Sequence, residues 1–166
     1  MSGQSPPADT AETVRIGKSV VFFLPAVYIV IHTLEELPGF GAWVETYFGS
    51  HPTGMFAAQH ILIWLLVFFI SYKAYRAQRH GAWVILATAA QIQFGVNALF
   101  HLTTFIMFQA YSPGVITGTA IAIPSTILYL RFTKREARIN DRELAWATLW
   151  GVLIAAAAIS VLFIGS

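Results

Sequence analysis

The chain has 166 residues, of which 57% are hydrophobic and only 11% charged, and its mean hydropathy is +0.65. Ordinary globular domains are about 25% charged and about 45–50% apolar, so this composition excludes a soluble domain of the same size, a disordered chain and a nucleic-acid-binding arm. There is no cysteine, which removes disulfides, thiolate metal sites and cysteine nucleophiles.

In chain order, Met1–Thr13 is polar, contains Pro6-Pro7 and reads as a short disordered leader. Residues 14–166 read as a single all-α membrane domain. A membrane span needs about 20 apolar residues of helix, and five stretches qualify: Ile16–Leu37, Gly54–Tyr72, Ala82–Phe108, Pro113–Arg131 and Leu144–Ile164. The first is too long for a signal peptide and has no small-residue cleavage site after it. Pro25 and Pro124 fall within spans, where proline kinks a helix and opens space. The connection Pro38–Thr53 carries Trp43, Tyr47 and Phe48, which read as interfacial anchors or, alternatively, as a lid.

The placement of charge gives the orientation. Arg15 and Lys18 precede the first span; Lys73, Arg76 and Arg79 occupy the second connection; Arg131, Lys134, Arg135, Arg138 and Arg142 occupy the fourth. These are all ten lysines and arginines of the chain. Basic connections stay cytoplasmic, so the N-terminus is expected inside and the C-terminus outside. The Lys134–Arg142 cluster reads as a topology signal, with anionic-lipid binding as the alternative. The short connections favour a bacterial plasma membrane.

With that orientation, a rise of ~1.5 Å per residue sets the depth of each polar residue. His32, Glu35 and Glu36 close the first span, Gln59 and His60 open the second, and Gln93, Asn97, His101 and Thr104 form a stripe on the third. Three helices thus bring polar groups to one level near the outer surface, and spans four and five carry nothing comparable. Glu35 and Glu36 oppose the partial negative charge of a helix C-terminus and have no lysine or arginine on their side. Their partners are a proton, a protonated histidine or a metal ion; the other reading is that they lie in wet headgroup territory and need none. His51 and His80 are expected to be solvated.

The run His32-Thr33-Leu34-Glu35-Glu36, the later His101 with Asn97 one turn before it, and Tyr111-Ser112-Pro113-Gly114 together resemble the HXXEE-domain family of integral membrane proteins. The three motifs occur in order across roughly residues 25–118, leaving the fifth span outside the signature. The resemblance implies a multi-pass membrane protein and no particular reaction.

Chemically, a histidine and a glutamate at i and i+4 can reach one metal ion from the same helix face, as in zincin-type motifs. His32 and Glu36 have that spacing, and His101 would complete a two-histidine, one-carboxylate set with an open position. That set suits a catalytic zinc or a non-haem iron. Glu35 would then act as general base, Asn97 as an orienting or oxyanion donor, and His60 as an alternative ligand or an interhelical hydrogen-bonding residue.

Ser112 and Pro113 read as the N-cap and first residue of the fourth helix. Gly114 and Gly118 form a small-xxx-small pair. Alternatively, this helix N-terminus holds an anionic group, with Tyr111 as proton donor. The function expected is that of a metal-dependent membrane enzyme, a hydrolase of a lipid or amphipathic substrate, with no nucleic-acid partner. A proton-coupled transporter or channel using the same Glu/His cluster is the alternative.

Overall fold

The computed structural model describes residues 17–49, 56–77 and 79–163. The expected leader and His51 lie outside the described residues. Among the described residues every regular element is helical: α1 Lys18–Glu36, α2 Phe40–Phe48, α3 Phe56–Arg76, α4 Ala82–Phe108, α5 Val115–Arg135 and α6 Asp141–Ser160, the last running into a 3₁₀ turn at Val161–Phe163.

Among the described residues four of these helices, α1, α4, α5 and α6, are long and apolar enough to cross a membrane, one fewer than the five expected. The second expected span corresponds to α3, whose unbroken apolar run is only Ile61–Ile70. Gln59 and His60 cut that run at one end, and Ser71, Lys73 and Arg76 cut it at the other. The connection after α1 is not all loop either, because Phe40–Phe48 forms the short helix α2.

α4 is the central element and packs on α1, α3, α5 and α6. Small residues let the neighbours close in. A Cβ on Gly151 of α6 would fall 2.7 Å from the Ala89 carbonyl oxygen, and one on Gly118 of α5 would fall 3.2 Å from Ala98. Two apolar clusters fill the interior. One contains Phe22, Ala74, Val84, Ala87 and Tyr129; the other contains Tyr28, Ile29, Val67, Phe94 and Ala98. The outward faces carry exposed large apolar residues such as Leu62, Leu65 and Trp150. A surface of that kind is expected to meet lipid or protein rather than water.

α5 opens on one α turn, widens into a π turn at Gly118–Ala122 and continues as α-helix from Ile123. Pro124 has no N–H to offer the Ala120 carbonyl, and a π turn beside such a gap relieves the broken hydrogen-bond ladder.

The basic residues gather at one end of the bundle. There Lys18 Nζ donates to the Ala77 carbonyl at 3.2 Å, the His80 amide donates to the Arg138 carbonyl at 3.0 Å, and Lys134 pairs with Asp141. Glu143 completes a capping box with Asn140 at the start of α6 and also takes His80 Nδ1 at 2.7 Å and the Gly81 amide at 3.2 Å. His80 is thus exposed, as expected, yet bonded to Glu143. The His/Glu cluster lies at the opposite end.

Candidate metal centre

α1 supplies His32 and Glu36 from one face, because residues four apart stack on successive turns. α4 supplies His101. Their ligand atoms converge: Glu36 Oε1 lies 3.3 Å from His32 Nε2 and 3.2 Å from His101 Nε2. All three residues are buried, at 2%, 5% and 1% exposure for His32, Glu36 and His101. They form a group able to hold a metal ion, with the candidate ligand atoms within 4.8 Å of one another. A tetrahedral ion with bonds of about 2.0–2.1 Å would set neighbouring donors roughly 3.3–3.4 Å apart, which matches the two nitrogen–oxygen separations.

Each imidazole is held by its other nitrogen. His32 Nδ1 lies 2.8 Å from Thr117 Oγ1, and His101 Nδ1 lies 3.1 Å from Ser112 Oγ. Thr104 Oγ1 stands 3.1 Å from the same Ser112 hydroxyl. Metal-binding histidines are ordinarily oriented in this way by a partner on the second nitrogen. Asn97 presents its amide nitrogen to His32 Nε2 at 3.1 Å, a donor facing an atom that accepts only if its proton is on Nδ1. His60 reaches the other carboxylate oxygen, with Nε2 3.9 Å from Glu36 Oε2; it stands beside the three-residue group rather than within it.

Glu35 goes elsewhere. Consecutive helical residues point about 100° apart, so while Glu36 faces α4, Glu35 faces α5. Its Oε1 accepts from the Tyr111 hydroxyl at 2.7 Å and from the Gly114 and Ile116 amides at 3.1 and 3.0 Å; its Oε2 accepts from the Thr117 amide at 2.7 Å. The anion at the N-terminus of α5 is therefore the chain's own carboxylate. Partial desolvation, then the hydrogen bond to Glu35, push the Tyr111 phenol up to about 12, so Tyr111 remains a donor to Glu35 at neutral pH.

The Tyr111–Gly114 segment also differs from its expected role. Ser112 does not cap the helix; α5 begins at Val115 after Gly114, which has φ 100°. The turn presses Gly114 against the imidazoles: a Cβ there would fall 2.6 Å from His32 Cε1 and 3.0 Å from His101 Nε2. Ser112 and Thr117, the two hydroxyls that orient the imidazoles, were not among the site residues read from the sequence. The available signal was their position in and one turn beyond the Tyr-x-Pro-Gly motif.

Aromatic rings close the remaining sides. Tyr28 stacks on His32 with centroids 5.0 Å apart, while Phe40 and Trp43, at the start of α2, approach His101 at 6.2 and 6.4 Å. A cavity of about 560 Å³ adjoins the cluster and is bordered by His32, Glu36, His60, Asn97 and His101 at its polar end.

Fold and site together define a helical bundle of membrane-spanning character around a buried carboxylate and two imidazoles. The chain belongs to the HXXEE family, described as proteins of unknown function with an HXXEE motif, whose model matches residues 22–129. The match takes in all three motifs together with Thr117. No curated protein and no solved structure matches the chain.

Proposed function

We propose that the protein is a five-span membrane enzyme in which His32, Glu36 and His101 hold a divalent metal, zinc in first place and iron in second. Its reaction is hydrolysis of a lipid or other amphipathic substrate near the outer leaflet. The observation that carries this reading is the convergence of two oriented imidazole nitrogens on one buried carboxylate oxygen, 3.3 and 3.2 Å away. α3 serves as the remaining span, since its polar ends would sit at the two membrane interfaces. The gathering of the basic residues opposite the cluster supports an N-terminus inside and a C-terminus outside.

A bound ion would supply Lewis acidity at a position left open by three protein ligands. Thr117 and Ser112 would keep the Nδ1 protons of His32 and His101 in place and leave Nε2 of each for the ion. Asn97, displaced from His32 Nε2 by the ion, would donate to the carbonyl oxygen of the substrate. In hydrolysis the oxygen of water bonds to the acyl carbon, the acyl–heteroatom bond breaks, and the proton from water leaves with the departing group. Glu35 is given a positioning role in place of the general-base role, because both its oxygens are engaged by α5 and Tyr111.

Metal content measured by mass spectrometry on the detergent-purified protein and on His32→Ala tests the proposal. Near-stoichiometric zinc or iron in the wild type, lost in the variant, is expected. A wild type that takes up neither ion, even when supplied with both, would overturn it. The outcome would then favour a proton-relay transporter, whose structural support is the buried Gln91 bonded to Ser125 and Thr126 at 3.2 and 2.9 Å. That relay is the weaker reading, because no carboxylate lies between Glu36 and the basic end in any of the spans.

A further inference from the structure

The cavity beside the cluster has a direction. Its polar end holds Glu36, His60 and Asn97 together with Gln59, and its walls then run along α3 and α4, past Gln93 two turns below His101, as far as Ile70, Leu86 and Ala90. Ten residues of α3 separate His60 from Ile70, so the cavity is ~15 Å deep along that wall, about half of a bilayer core of about 30 Å. Its volume, about 560 Å³, falls within the roughly 300–1,000 Å³ of small-molecule sites.

The mouth faces sideways. Leu66 of α3, Leu86 of α4 and Ile154 of α6 line the cavity and are 57%, 40% and 48% exposed. α4 forms the back wall, packed on both α3 and α6, and the opening lies between those two. The other approach is roofed: Trp43 is 6% exposed and Val44 is fully buried where α2 crosses the His/Glu end.

We infer that this cavity is a slot for one acyl chain, entered from the bilayer between α3 and α6, and that its occupant is a single-chain amphiphile with an uncharged ester or amide head. The chemistry assigned to the head rests on the metal-hydrolase reading; the slot itself does not. The imidazoles and amides crowd one end and the walls along α3 are hydrocarbon with Gln93 alone interrupting the α4 side, which matches an amphiphile placed head first. No lysine or arginine is among the described residues that line it. An ester or amide carbonyl would meet the Asn97 donor beside the proposed ion. Chain length is measured at the inner end, where Ala90 is small.

The test is native mass spectrometry of the full chain released from detergent after loading with monodecanoylglycerol, monopalmitoylglycerol or dipalmitoylphosphatidylcholine. The wild type is expected to retain one monoacylglycerol and to discriminate against the two-chain lipid. Ala90→Phe is expected to lose about tenfold in retention of the palmitoyl compound while keeping the decanoyl one, and Ile154→Trp at the mouth to weaken both. Equal retention of all three lipids, or an Ala90→Phe effect that ignores chain length, would overturn the slot.

A different occupant has its own signature. Efficient disulfide cross-linking of Ile154→Cys between copies of this naturally cysteine-free chain would show the mouth covered by a second subunit and would also overturn it. Metal content is read on the same samples. Length-selective binding without metal would sink the hydrolase and leave the slot; metal without length-selective binding would do the reverse.

Discussion

Gly114 brings the backbone of one sequence motif against the side chains of the other two. Its φ of 100° is a conformation that a residue with a Cβ adopts at a cost of about 1–2 kcal/mol. The added methyl would also fall 2.6 Å from His32 Cε1, with no flexible chain end to give way. Gly114→Ala is therefore expected to displace His32 and abolish metal binding. Ser112→Ala makes a milder change, removing only the hydroxyl beside His101 Nδ1. Loss of such an orienting partner typically costs about 10–100-fold in metal affinity. Zinc titration of both variants, with circular dichroism to confirm retained helix, checks this order. Tight zinc binding by Gly114→Ala would show that the imidazoles do not depend on the turn.

Among the elements, the junction of α1 with α5 is held by Glu35, and its chemistry separates two roles. If Glu35 positions α5, Glu35→Gln replaces an anionic acceptor of four hydrogen bonds with an amide whose NH₂ opposes the helix amides. The expected cost is about 1–2 kcal/mol, the scale of a lost N-cap. Metal affinity should fall with it, as Thr117 and Gly114 loosen against His32. If Glu35 were the general base, the variant would keep both its melting temperature and its metal and lose only turnover.

That distinction was not legible in the sequence. The spacing of His32, Glu35 and Glu36 gives which residues share a helix end, and the i, i+4 relation correctly pairs His32 with Glu36. Which neighbour faces Glu35, however, depends on where α5 packs, and that is fixed by close contacts such as Gly118 on Ala98. The long helices were readable because their apolar runs are long. α2 was not, because nine residues between Gly39 and Gly49 resemble an aromatic loop in composition. In α3 the polar residues at both ends, Gln59 and His60, Lys73 and Arg76, belong to the helix, as the span Gly54–Tyr72 already implied for the first pair.

For the molecule as a whole, the decisive feature is its polarity along the bundle axis. Lysines and arginines collect at one end, where Lys18, His80 and Glu143 tie the connections together. The His/Glu cluster sits at the other, roofed by α2. A helix inserted with its basic end outward would carry those charges through the bilayer, at about 2.5–3.5 kcal/mol for each one held at the core. This supports a basic end facing the cytoplasm. α3 runs the same length of the bundle, from His60 beside Glu36 to Ala77, just past its end, beside Lys18. The natural lack of cysteine allows a clean test with single cysteines at two exposed positions, Gln109 at the His/Glu end and Glu136 at the basic end. A membrane-impermeant maleimide added to intact cells should label Gln109→Cys and reach Glu136→Cys only after the membrane is opened. Labelling of Glu136→Cys from outside would invert the protein. The His/Glu cluster and the cavity beside it would then face the inner leaflet, and a substrate would have to be sought among cytoplasmic-side lipids.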